Sequence, residues 1–326
     1  MNLRFRPLTA TLVIFALAYA ICVLQFPGMW STRVLGNLLT DNAFLGIAAV
    51  GVTFVIISGG IDLSIGAVIG FTGVLVAVLI NSLGLHPLVA FAIALAVATL
   101  FGAATGAIIQ YLQVPAFIVT LAGMFLARGG ASILSQDSIP ISHPFYKSVS
   151  ALYFSLPGGG RLNTIGIIMV VTFIIGGLVL HRTKFGSYVY ALGGNVTSAS
   201  LMGVPVARTT ITIYAISSFL AGLAGIAFSL YTSAGYSLAA VGVELDAIAA
   251  VVIGGTMLTG GYGFMLGTFI GVMLQGLVQT YIVFDGTLNS WWTKIVIGLL
   301  LFVFIVLQRL VFRTASRPAQ LRNPAA

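Results

Sequence analysis

Charge is what this sequence has least of. Only 6% of its 326 residues are Asp, Glu, Lys or Arg, against roughly 25% in soluble domains. Hydrophobic residues reach 59% and mean hydropathy is +1.13. A water-soluble fold of this size is excluded, because it could not keep so much apolar surface from water. The single cysteine, Cys22, rules out an internal disulfide. His86, His143 and His181 stand apart from one another, which removes the spaced ligand sets of metalloenzymes. None of Lys147, Lys184 and Lys294 follows a glycine. The chain therefore has no G-x-x-x-x-G-K-[ST] loop to cradle the phosphates of ATP.

What remains is apolar sequence in long runs. The hydrocarbon core of a bilayer is about 30 Å thick and takes about 20 helical residues to cross. Runs of that length recur along nearly the whole chain, without the ten-residue alternation of a membrane barrel. Lipid satisfies no backbone groups, so the runs are read as helices. The pattern predicts an all-α polytopic membrane protein, a single domain over 1–326. Its spans fall near 8–26, 39–57, 65–80, 88–110, 114–134, 164–181, 209–231, 245–258, 263–283 and 291–311. The third and eighth are short and bordered by glycine, as broken or re-entrant segments are. Ala16-Leu17-Ala18 and Ala18-Tyr19-Ala20 resemble leader-cleavage sites, but the apolar run continues to Phe26, and the expectation is an uncleaved first span.

Basic residues set the orientation, because Lys and Arg gather in cytoplasmic loops. An inside N-terminus puts Arg4, Arg6, Arg182, Lys184, Arg208, Arg309, Arg313, Arg317 and Arg322 in the cytoplasm, nine of the fourteen. Arg33, Lys147 and Arg161 then fall outside, with Arg128 and Lys294 near outer helix ends. Ten spans return both termini to the cytoplasm. On this topology 135–163 is a periplasmic loop with little regular structure, 182–208 a cytoplasmic loop and 312–326 a cytoplasmic tail. The net charge of +8 is accounted for by topology and requires no nucleic acid.

A weak internal repeat runs through the chain. Gly59-Gly60-Ile61-Asp62-Leu63-Ser64-Ile65-Gly66 parallels Gly254-Gly255-Thr256-Met257-Leu258-Thr259-Gly260-Gly261, and Gly102-xxx-Gly106-xxx-Gln110 parallels Gly267-xxx-Gly271-xxx-Gln275. Paired glycine-rich interruptions in two halves point to a transport pathway, whereas GxxxG by itself reads as close helix packing. All six acids fall near helix ends or in loops on this topology. Asp62 either caps the helix from Ile65 or lines the pathway. Glu244 and Asp246 either favour a helix N-terminus or line an outer mouth. The candidate pathway or gating positions are Asn42, Gly59, Gly60, Asp62, Ser64, Glu244, Asp246, Gly254, Gly255 and Gln275. Gln110, Gln113, Gln275 and Gln279 offer neutral donors and acceptors, which suit an uncharged polyhydroxylated solute better than an ion. Tyr281, Phe284, Trp291 and Trp292 read as a headgroup belt, with stacking under a sugar ring as the alternative.

In the inside loop, Asn195 can cap a short helix from about Val196 to Met202, which Gly203 and Pro205 stop. Such a helix cannot span lipid and is shaped to dock in the cytoplasm. The pattern R-T-x-x-G-x-x-x-Y-A-x-G-G-N-x-x-x-A-x-x-x-G from Arg182 to Gly203 resembles the cytoplasmic loop of ABC-type monosaccharide permeases of the ribose and galactose kind. The G-G-I-D-L-S-I-G and I-G-G-T-x-L-x-G-G segments match the same family. Thr40-Asp41-Asn42-Ala43-Phe44-Leu45-Gly46, Val241-Gly242-Val243-Glu244-Leu245-Asp246 and the run from Phe284 to Lys294 resemble its galactofuranose-importer branch. Ser198-Ala199-Ser200 departs from the family's common Ala-Ala-Arg; the departure fits the narrower branch and leaves open one ATPase contact that the arginine of the wider family would make.

The resemblance implies a permease subunit of an ATP-driven sugar importer in a bacterial inner membrane. It would bind no cofactor itself, and ATP would be hydrolysed by a partner subunit. Gly193, Gly194, Asn195, Ser198, Ala199, Leu201 and Gly203 would form the ATPase-coupling segment. The implied partners are a second, different permease chain, an ATPase and a periplasmic sugar-binding protein. Two other readings compete: an ion-coupled secondary sugar transporter, and an intramembrane enzyme acting on lipid-linked sugars. The first lacks a string of ionisable groups in mid-membrane, and the second lacks a catalytic constellation.

Overall fold

A computed structural model describes residues 6–289 and 291–315, and the side chains from 8 to 306 except Ser290. Arg4, Arg317, Arg322 and most of the predicted tail lie outside the described residues. The described residues are mostly helical, with two small strand pairs and irregular connections between the helices.

Among the described residues, six helices are long and apolar enough to cross a bilayer. They are α1 (Arg6–Gln25), α5 (Pro87–Leu112), α6 (Ala116–Leu134), α8 (Thr164–Arg182), α11 (Val206–Thr232) and α13 (Met265–Asp285). A seventh crossing is a pair, α2 (Thr32–Asp41) and α3 (Ala43–Ile57), bent by 57° at Asn42. α4 (Ile65–Asn81) and α14 (Trp291–Ala315) are apolar but fall short of that length test among described residues, and α12 (Val243–Ile253) is only a half-length helix. The single predicted span 39–57 is thus corrected. Ser31 accepts the Val34 N–H and starts the chain turning seven residues earlier, but Arg33, Asn37 and Asp41 make that first piece too polar to read as span. The predicted helix 245–258 also stops early, at Ile253, where Gly254 ends the helix and Gly255 turns the chain at φ +91°.

The core is built around α3, of which every residue but Phe44 is buried. Small residues let its neighbours come close: a methyl added at Gly51 would touch the Ser217 backbone of α11, and one at Gly46 would overlap Met169 of α8. The GxxxG pairs do the same work elsewhere. Gly102 and Gly106 let α5 pack on Tyr214, Ser218 and Ile211 of α11, while Gly267 and Gly271 let α13 pack on Gly254 and Ala250. Close approach through small residues is how helices associate without a hydrophobic driving force.

The loop 135–163 is more ordered than its prolines and glycines suggest. β1 (Ile139–Pro140) pairs with β4 (Ala234–Gly235), and β2 (Tyr153–Ser155) pairs with β3 (Arg161–Asn163) around the glycine turn. Between them α7 (Pro144–Ala151) starts with proline in its first turn and the His143 ring accepting from Phe145 N–H. Its Tyr146 is buried, with its hydroxyl 3.1 Å from Ser229 on α11, and burial pushes that phenol up to about 12. Proline opens a helix as readily as it breaks one, which is why the composition misled.

Candidate functional site

The inside-loop sequence folds as two helices: α9 (Lys184–Gly194), begun by Thr183 accepting the Gly186 N–H, and α10 (Val196–Leu201). Asn195 sits between them, and its Oδ1 accepts the Ser198 N–H at 2.8 Å. Ala199 is fully buried under α10, Gly203 leaves it at φ +81°, and Leu201 and Met202 stand 85% and 72% exposed. A short capped helix thus carries an apolar knob away from the bundle.

Beneath α10 three glycine pairs meet. A side-chain carbon at Gly193 would overlap the carbonyl of Ile57 and the amide of Gly261. Gly260, at φ +83°, would press a Cβ onto the Gly59 backbone and Gly193 Cα. The Gly261 N–H donates to Ile57 O at 2.8 Å. Tyr190 of α9 adds a donor bond to Gly263 O at 2.6 Å, and burial holds its phenol above the ordinary range, as a donor. The Met265 N–H donates to His181 Nε2 at 3.3 Å. The end of α9 therefore touches both glycine breaks, 59–60 and 260–261, at once. The repeat had aligned Gly59-Gly60 with Gly254-Gly255. The two breaks are built alike, shifted by one residue: Gly59 (φ +83°) and Gly255 (φ +91°) each end a helix with the same pair of backbone bonds, Gly59 to Ile56 and Gly60 to Val55, Gly255 to Val252 and Thr256 to Val251. The segment that meets Gly59 in space is Gly260-Gly261, while Gly254 lies in the α12–α13 packing. Beside this junction lies a cavity of about 320 Å³, lined in part by Gly59, Gly60, Gln110, Gln113, Val196 and Tyr214.

Asp62 is buried at 1% exposure and is fully engaged. Its Oδ1 accepts the Ser64 amide at 3.0 Å and the Ser64 hydroxyl at 2.6 Å, and its Oδ2 accepts Ser217 at 2.8 Å. The carboxylate does not cap α4 in the expected way. Ser64 occupies the capping position, and Asp62 folds the break into a turn and ties it to α11. Tyr214 of α11 also donates to Ile61 O at 3.3 Å. Neither Asp62 nor Ser64 lines that cavity.

Sequence reasoning gives Arg128 a place near an outer helix end but no role. It lies about two-thirds of the way along α6, and its Nη1 donates to Ser237 O at 2.6 Å and Ala239 O at 2.7 Å. It faces Glu244, whose Oε2 is buried without a hydrogen-bond partner and sits against Gly66. Gly66 and Gly70 of α4 supply the room, since a Cβ at either would meet Glu244 or Arg128. The irregular stretch 236–242 is thereby pinned along α4. The signal available was a lone arginine within an apolar run, a costly placement that needs a partner.

At the opposite end of α3, about 22 Å from the glycine junction for 15 residues at 1.5 Å each, is a second polar cavity. It measures about 450 Å³ between α2–α3, α11, α12, α13 and α14. The candidates Asn42, Asp246 and Gln275 come together there, joined by Asp41, Gln279 and Lys294. Lys294 bonds both oxygens of Asp246 at 2.7 and 2.5 Å, Tyr231 donates to Asp41 at 3.1 Å, and Gln275 donates to Asp246 O at 3.0 Å. Trp291 and Trp292 are exposed nearby on the first turn of α14.

A family model described as "Branched-chain amino acid transport system / permease component" matches residues 34–305. The chain is 60% identical over 306 residues to the inner membrane ABC transporter permease protein YjfF of Escherichia coli K12, covering 94% of this chain and 92% of that one. It is 38% identical to the fructose import permease protein FruG of Bifidobacterium longum, covering 94% and 91%. It is also 38% identical to the ribose import permease protein RbsC of E. coli K12, covering 84% of each. No solved structure matches the chain.

Proposed function

The chain belongs to the family of branched-chain amino acid transport system permease components, and from that premise we propose that it is the membrane-spanning subunit of an ATP-driven importer for a neutral sugar, galactofuranose being the sugar we favour. It is a multi-pass inner-membrane protein with the role of a transport subunit. Adding α4, α12 and α14 to the seven long crossings gives ten passes, which puts both termini and the α9–α10 pair in the cytoplasm and the Asn42–Lys294 cavity outside. Its relatives include permeases named for ribose and fructose import, which supports a sugar. The galactofuranose assignment rests on the sequence resemblance around Asp41–Gly46, 241–246 and 284–294.

The observation that carries the coupling assignment is α10 itself. Leu201 and Met202 are exposed beyond the bundle while Gly193, at the far side of Asn195, is wedged between both glycine breaks. A partner ATPase that grips α10 would move residues 59–60 and 260–261 together, and with them the ends of α3, α4, α12 and α13. In this reading Gly193, Gly194, Asn195, Ser198, Ala199, Leu201 and Gly203 form the coupling segment. Asn42, Asp246 and Gln275 belong to the outer pathway, Gly59 and Gly60 to the inner one. Asp62, Ser64, Glu244, Gly254 and Gly255 hold the broken segments that must move. The chain works with a second permease, the ATPase and a periplasmic binding protein.

The test is the double substitution Leu201→Ser/Met202→Ser in the assembled transporter. It is expected to abolish sugar uptake and co-purification of the ATPase while leaving membrane insertion and yield intact. Normal uptake after scrambling 195–203 would overturn the assignment.

A further inference from the structure

The outer cavity has properties beyond those of a passive opening. Of its three fixed charges, Asp246 and Lys294 cancel each other, and Asp41 keeps its negative charge while one of its oxygens accepts the Tyr231 hydroxyl. The other polar groups that can meet a solute are neutral. The Gln279 amide and the Thr293 hydroxyl make no hydrogen bond to the protein among the described residues, and Gln275 uses its amide nitrogen on Asp246 O while its oxygen makes no bond. Between these polar groups lie Phe44, Leu45, Val243, Ile282 and Ile297. The wall thus alternates uncharged hydrogen-bonding groups with apolar patches, matching a ring whose edge bears hydroxyls and whose faces bear C–H. About 450 Å³ falls within the ~300–1,000 Å³ range of small-molecule sites. The latches are placed to respond to occupancy, since Lys294–Asp246 joins α14 to α12 and Tyr231–Asp41 joins α11 to α2.

We propose that this cavity, enclosed within a single chain, is a loading site that holds one neutral monosaccharide by hydrogen bonds from Gln279, Gln275 and Thr293. A phosphate ester is refused because Lys294 is already held by Asp246 and the remaining carboxylate, Asp41, repels an anion. The inference rests on the sugar-importer reading and adds that this chain itself recognises the solute, independently of any protein that delivers it.

The experiment uses the complete transporter in nanodiscs, without its binding protein, and radiolabelled D-galactose (which in water equilibrates with its furanose form), D-ribose and D-fructose. For whichever of these sugars the complete system takes up into proteoliposomes, saturable equilibrium binding is expected. Gln279→Leu and Thr293→Val should each weaken it about tenfold, the loss of roughly one neutral hydrogen bond. ATPase association through α10 should stay unchanged in both, a readout that a merely structural defect would move. Either variant alone suffices should the other fail to assemble. Uptake by the wild type without saturable binding, or binding untouched by both substitutions, overturns the loading site and leaves the importer reading standing. Uptake of none of the sugars overturns both.

Discussion

The two ends of α3 are held by opposite means. At the α9–α10 end, backbone meets backbone: Gly193, Gly260 and Gly261 approach Ile57 and Gly59 with no side chains between. Toward the other end side chains do the holding, with Lys294 on Asp246, Tyr231 on Asp41 and Arg128 on the carbonyls of Ser237 and Ala239. A side-chain contact can be loosened and re-made as a solute enters and leaves. A backbone junction moves only as a unit, which is what a segment relaying force from a partner requires. The difference teaches where substitutions should hurt by removing atoms and where they should hurt by adding them.

The severest way to break the side-chain half of the comparison is Arg128→Gln. It leaves Glu244 facing no positive charge and weakens the hold on the 236–242 stretch. What is lost is a pair of charge-assisted hydrogen bonds to the Ser237 and Ala239 carbonyls, worth about 1.5–3 kcal/mol each, and Arg128 is partly accessible, so we expect about 3 kcal/mol in all. The expected readout is a clear fall in the thermal midpoint of the detergent-solubilised protein, with part of the loss recovered when Glu244→Gln is added. Equal stability of Arg128→Gln and wild type would mean that the stretch is held by something else.

Next in size is a contrast between adjacent residues. Gly193→Ala inserts a methyl where Ile57 O and Gly261 N already stand, whereas a methyl at Gly194 meets nothing within 4 Å. Overpacking of this kind costs about 1–3 kcal/mol. Gly193→Ala should therefore lower the thermal midpoint measurably while Gly194→Ala leaves it where it was. If the two behave alike, the junction is not the tight unit described here.

Much of the membrane architecture was legible before any coordinates. Continuous apolar runs marked α1, α5, α6, α8, α11 and α13, and Asn195 marked the start of α10, because hydropathy and capping are local. The pieces that escaped are local in a different sense. α2 mixes Arg33, Asn37 and Asp41 into its apolar residues, and α9 carries Gly186 among Lys184, Phe185, Ser187 and Tyr188 in its first turns. Both were read as loop or as the edge of a span. The site was legible only as fragments. Gly59-Gly60 announced a break, and Asn42, Asp246 and Gln275 were visible as polar residues near helix ends. That Gly193 and Gly260, 67 positions apart, touch at Gly59 is a fact of packing that no single-sequence pattern encodes. Arg128 was seen but assigned to a helix end by the rule for loop charges, which says nothing about which way a lone arginine turns inside a span.

The smallest expected effect probes whether the outer latch is built to yield. Lys294 is 52% exposed and its partner Asp246 20%, so solvent screens the pair, and an ion pair of this kind contributes only about 0–1 kcal/mol. Lys294→Gln should consequently shift the thermal midpoint by a degree or two at most, and the wild-type midpoint should show little dependence on salt. Function is expected to respond more than stability, because Asp246 is then left unpaired at the cavity wall. Uptake of the neutral sugar should weaken, and measured at several ionic strengths, the deficit should shrink as added salt screens the bare carboxylate. A large loss of stability in Lys294→Gln would show that this contact is as rigid as the glycine junction, and the distinction between a yielding outer end and a stiff inner one would collapse.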